Sequence, residues 1–188
     1  MYRNPATYDV IAKTIIDIYI DYDIKTFPVN EKEVCHKLGI ALIPYSKLPD
    51  DICETLIKLS DFGFFIPGNK ANSPTIYFND INKTVGAQRF TIFHEIKHYV
   101  FEDKDDSEDD LADYFARYMM CPIPYLVLKG TAGAGDIAVQ YDTSISAAHN
   151  VYSNIRNRVS KYGRKIFDYE VKLIEHLDPV LIERYRLK

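Results

Sequence analysis

Residues 94–98 read His94-Glu95-Ile96-Lys97-His98 and sit inside a stretch with helical periodicity. Val85, Ile92, Ile96 and Tyr99 recur at spacings of seven, four and three, the mark of a half-buried helix face. Asn82 or Thr84 can cap its start, and the acidic run from Asp103 ends its apolar pattern. Two histidines four residues apart stand one above the other on such a helix, so both imidazoles can reach one cation. They share the stripe of Thr91 and Phe101 and so face inward. The fold must therefore hold a second element against this face, one that offers a further ligand.

Zinc accepts this imidazole geometry and lowers the pKa of its bound water to about 7. Glu95, beside the first histidine, is placed to deprotonate that water. A catalytic zinc takes three protein ligands, and no histidine follows His98 until His149. The form with a third histidine shortly downstream is thereby excluded. Carboxylates of the next helix remain: Glu108, Asp109, Asp110 and Asp113. The buried stripe of that helix, through Ala112, Phe115 and Ala116, extends back to Asp109 and Glu108, whereas Asp110 points elsewhere. Asp109 is placed ahead of Glu108 as the third ligand. Asp113, four residues on, can hold the nearer histidine by its second ring nitrogen, which orients a ligand and raises its basicity.

Before the His-Glu helix, residues 6–22 read as a helix, and Asn30 can cap another over EKEVCHKL, closed by Gly39. Ile40–Pro44 reads as a short strand and residues 50–60 as a helix. Residues 62–67 and 75–79 read as strands around the turn-rich GNKANSP, and the outer one, 75–79, is expected to pair with an extended substrate. After the acidic run, LADYFARYMM makes a helix with Leu111, Ala112, Phe115, Ala116, Met119 and Met120 inside, stopped by Pro122. Pro124–Leu128 can begin a further turn, and GTAGAG (130–135) is a hinge or loop. As a phosphate cradle it lacks a lysine and a preceding strand. Residues 136–159 then read as helix, turn, helix with Thr143 or Ser144 as cap, and 168–188 as helix broken near Pro179. The expected class is α+β, with a zincin-like core: a small mixed sheet, the His-Glu helix and a following ligand helix. Residues 1–129 would form that core with the N-terminal helices, and 130–188 a helical, helix-turn-helix-like region packed on it.

Composition narrows the function. With 188 residues, 47% of them hydrophobic, the chain can bury a real core, and fifteen tyrosines and ten phenylalanines against no tryptophan put packing on those rings. A net charge of −4 offers no general electrostatic case for nucleic acid, so direct nucleic-acid binding is not expected. Charge is uneven: residues 102–110 hold seven carboxylates, while Arg156, Arg158, Lys161, Arg164 and Lys165 form a basic stretch. Cys35, Cys53 and Cys121 lack paired spacing and read as reduced, buried thiols. The opening MYRNPATYDV lacks the charged and apolar regions of a signal peptide and no stretch approaches ~20 apolar residues, so a soluble, cytoplasmic protein without membrane partners is expected.

Two motifs carry a family resemblance. Gln88-Arg89-Phe90-Thr91 leading into His94-Glu95-Ile96-Lys97-His98, then Ala112-Asp113-Tyr114-Phe115-Ala116 and, more loosely, Met120-Cys121-Pro122, resemble the ImmA/IrrE-type (DUF955) zinc metallopeptidases. The likeness spans roughly residues 30–160. Where that family has glutamate three residues before the alanine, this chain has Asp109. The resemblance implies a zincin-like fold, one Zn2+ held by His94, His98 and Asp109 or Glu108, and Glu95 as general base. It further implies peptide-bond cleavage in a helix-turn-helix repressor of a mobile element or stress circuit. Tyr77, Tyr114, Arg89 and His149 are candidates to stabilise the oxyanion. The rival expectation is a non-catalytic or toxin/antitoxin-type module of the same fold that binds a repressor or DNA.

Overall fold

The computed structural model describes residues 5–102 and 109–187. The chain forms two compact units, one of Asn30–Ala116 and one of Met1–Val29 with Arg117–Lys188. They cut the chain at Val29 and Ala116 rather than at 129/130. The class is α+β, mostly helical with a small sheet.

In the unit Asn30–Ala116, α2 (Glu31–Leu38) follows α1 of the other unit in chain order. Asn30 caps it by accepting from the N–H groups of Lys32 and Glu33, and Gly39 ends it at φ 73°, where a side chain would be strained. Next come β1 (Ala41–Pro44), a 3-10 turn at Tyr45–Lys47, α3 (Asp50–Leu59), β2 (Gly63–Ile66) and β3 (Thr75–Phe78). The strand order is β1-β3-β2. β1 runs parallel to β3 from Ala41↔Thr75 to Pro44↔Phe78, and β2 runs antiparallel to it from Gly63↔Phe78 to Ile66↔Thr75. This corrects the expectation for residues 75–79: β3 is central, bonded on both sides, and has no edge to offer a substrate.

Helix α4 (Val85–Phe101) packs across β2 and β3. Directly opposed residues share a sheet face, so Gly63, Phe65, Ile76 and Phe78 lie together on the α4 side. Phe65 meets Tyr99 of α4 edge-on at 5.9 Å. Phe64 and Tyr77 stack at 5.2 Å on the opposite face. Thr84 caps α4 by accepting from the Ala87 N–H, while the Asn82 side chain accepts instead from Asn79. Ile92, Phe93 and Ile96 are buried, but Val85 is exposed because it occupies the first helical position. Helix α5 (Asp109–Met120) follows, its expected inner stripe buried from Leu111 to Met120.

In the other unit, α1 (Pro5–Asp21) buries Ile11, Ile15, Ile16 and Tyr19 and packs against α9 (Asp168–Leu177). The Tyr19 hydroxyl donates to the Met119 carbonyl at 2.6 Å. Phe27 touches the rings of Tyr125 and Tyr141, as the aromatic composition led one to expect. Between them run α6 (Ile123–Lys129), α7 (Ala134–Tyr141) and α8 (Ile145–Tyr162), the last capped by Ser144, so helix, turn and helix follow as expected. Arg158 donates to the buried Glu170 at 2.6 Å, which also accepts from the Phe167 N–H. The chain then closes with α10 (Pro179–Arg186). Cys35, Cys53 and Cys121 are buried thiols, and burial pushes that of Cys35 up to about 12. No helix among the described residues is long and apolar enough to cross a membrane.

Candidate metal centre

Helix α4 presents His94 and His98 from successive turns, with ring centroids 5.3 Å apart. His98 is buried at 8% exposure, and the His94 side chain is 18% exposed. Helix α5 presents Asp109 and Asp113 from successive turns of its own. The Nδ1 of His94 lies 3.1 Å from Asp113 Oδ1, and its Nε2 lies 3.8 Å from Asp109 Oδ1. One ligand atom each from His94, His98 and Asp109 falls within 4.8 Å of the others, so the three could hold a metal ion. Glu108, the alternative third ligand, lies outside the described residues.

The donor set suits zinc: two imidazole nitrogens and one carboxylate oxygen leave a fourth position of a tetrahedron open. Ligands at about 2.0–2.2 Å from zinc stand roughly 3.4 Å from one another. The Asp109 side chain, 68% exposed, is free to close the remaining distance. An ionised carboxylate can only accept, so in the neutral His94 ring the proton sits on Nδ1 toward Asp113 and the lone pair on Nε2 toward Asp109. Burial disfavours a charged His94. The Asp113 hydrogen bond and the charges of Glu95, Asp113 and Asp109 outweigh it and hold the His94 pKa above its ordinary value.

A cleft of about 930 Å³ opens over these residues. Helices α4 and α5 supply all its charged lining: His94, Glu95, His98, Asp109 and Asp113. The segment from Leu59 to Pro67 supplies phenylalanines, small residues and no charge. None of the four oxyanion candidates lines it. Arg89 is buried with its Nε 3.2 Å from Glu31 Oε2. Tyr77 stacks on Phe64 on the far face of the sheet, Tyr114 lies outside the lining, and His149 belongs to the other unit. Sequence reasoning passed over Ser60, Gly63 and Phe65 as cleft residues. One signal was there: a glycine within an apolar strand marks a close approach of backbone. A Cβ on Gly63 would stand 2.5 Å from the Tyr77 carbonyl oxygen and 2.8 Å from Thr91 Cγ2 of α4.

Comparison with protein-family models, with curated proteins and with solved structures gives no match.

Proposed function

We propose that the chain is a zinc-dependent metallo-endopeptidase with a zincin-like core, similar to the ImmA/IrrE-type enzymes, acting on a helix-turn-helix repressor of a mobile element or stress circuit. The observation that carries this reading is the placement of Glu95 beside a His94–His98–Asp109 group in one cleft, with Asp113 behind His94. A structural site needs no general base next to its ligands, whereas hydrolysis does.

In this reading His94, His98 and Asp109 hold the ion, and Asp113 fixes the His94 ring so that Nε2 faces it. Bound zinc supplies Lewis acidity, polarising the scissile carbonyl and easing the deprotonation of water. Glu95 takes the proton from the attacking water and returns it to the departing amine. The Leu59–Pro67 side of the cleft sets no charged side chain beside the reacting carbonyl.

The test is metal analysis of protein purified without chelator, beside His98→Ala. Roughly one zinc per chain is expected in the wild type and far less in the variant. Glu95→Gln should keep the metal and, should a helix-turn-helix repressor be encoded beside the gene, lose the cleavage of it that the wild type shows. A wild type without bound zinc, or a Glu95→Gln protein that still cuts, sinks the reading.

A further inference from the structure

Strand β2 is the sheet edge that lines the cleft. Residues of an antiparallel strand turn their backbone polar groups alternately toward the partner and away from it. The Phe62 carbonyl accepts from the Asn79 N–H at 2.8 Å. Phe62, Phe64 and Ile66 therefore face β3, and Gly63 and Phe65 turn their N–H and C=O outward. The outward groups of Gly63 are already occupied. Ser60 Oγ donates to the Gly63 carbonyl at 2.6 Å and accepts from its N–H at 3.2 Å.

Ser60 is itself held on two sides. Its N–H donates to the Leu56 carbonyl at the end of α3, and its own carbonyl accepts from the buried Tyr45 hydroxyl at 3.0 Å. Past the strand, Pro67 has no N–H to give. Phe65 is left as the one β2 residue whose outward N–H and C=O are open to a partner.

We propose that β2 docks an extended polypeptide segment in a single register, paired to the backbone of Phe65, and that Ser60 sets this register by occupying Gly63. The proposal rests on the peptidase reading, since a scissile bond is what needs such placement. A strand can slip only in steps of two residues, about 6.8 Å, without exchanging its faces. Slippage by one such step would carry the bond away from Glu95. Leu59, Phe62 and Phe90 supply the uncharged lining beside this edge, with Leu59 73% exposed. The segment fitted to it carries a large apolar side chain. Ser60 is a specificity-determining residue in this scheme and takes no part in proton transfer.

The test measures binding apart from hydrolysis. Zinc-loaded Glu95→Gln protein is titrated with fluorescein-labelled heptapeptides bearing one central phenylalanine among threonines and valines, unmodified or N-methylated at one position at a time. Methylation at the position whose N–H meets the Phe65 carbonyl should weaken binding about tenfold, the scale of one lost hydrogen bond. In Glu95→Gln/Ser60→Ala, sensitivity should spread to a second position two residues away, because Gly63 becomes available. Phe65→Pro removes the outward N–H as well as the ring that packs on Tyr99, and Phe65→Leu, which loses the ring and keeps the N–H, is its control; the proline variant should bind about tenfold more weakly than the leucine one. A flat methylation profile, a profile unchanged by Ser60→Ala, or no peptide binding overturns the proposal. If the peptides bind in the expected pattern and wild-type holoprotein leaves them intact, the register stands and the peptidase reading fails. If they are cut while the profile is flat, the reverse holds.

Discussion

His94 sits between two carboxylates of one helix, with Asp113 on Nδ1 and Asp109 toward Nε2. The pair divides the work between holding an ion and aiming a ligand. Asp113→Asn should therefore leave the fold intact and weaken zinc binding by roughly 10–100-fold, read by competition with a chromogenic chelator. The same contacts predict a pH dependence. The metal-free His94 pKa lies above its unfolded value of about 6.5, so protonated His94 stabilises the metal-free fold below about pH 6.5. That contribution is lost as pH rises through the raised folded value. Zinc needs the Nε2 lone pair and must expel the proton, so the rise in Tm on adding zinc should grow between about pH 6 and pH 8. Thermal melts with and without zinc across that range check this, and an increment that does not vary with pH would contradict it. The His94–His98 pair and the phase of Asp109 and Asp113 were readable from spacing alone. Which ring nitrogen meets which carboxylate was not, because that depends on how α5 approaches α4.

At the scale of elements, the close seat of β2 on α4 places the cleft. Gly63 permits it. Gly63→Ala would drive a methyl into the Tyr77 carbonyl and the Thr91 methyl, one turn before His94. A loss of about 1–3 kcal/mol in urea unfolding is expected, the usual cost of overpacking, together with weaker zinc binding. Helix ends were legible: Asn30, Gly39, Thr84 and Ser144 cap where their local chemistry says they should. The strands were legible as strands, yet the order β1-β3-β2 was not. The pattern of residues 75–78 reports which side chains are buried; it does not report which neighbours take up the backbone hydrogen bonds. Residues 41–44 supply one of those neighbours from more than thirty positions away.

Across the whole molecule, the chain's first helix belongs with its last ones. α1 shares a compact unit with Arg117–Lys188, and the Tyr19 hydroxyl reaches the Met119 carbonyl one hundred positions along. Burial pushes the Tyr19 pKa well up, with Cys121 and Tyr141 adding to it, so the hydroxyl stays a donor. Tyr19→Phe should cost about 1–3 kcal/mol in global unfolding, because the Met119 carbonyl would lose its buried partner. A change below a few tenths of a kcal/mol would show that water replaces the hydroxyl. The amino-acid sequence by itself determined the helix carrying His94, Glu95 and His98, the caps, the strand segments and the pair of carboxylates in phase to meet the histidines. Each of these is written in residues within a turn or two of one another, where periodicity and backbone hydrogen bonding act directly. The tertiary structure alone decided that β3 is central, that β2 carries the exposed edge with Ser60 across it, and that α1 joins the helices after Arg117. Those outcomes depend on which distant surfaces bury one another best, a comparison over the whole chain that no local pattern encodes.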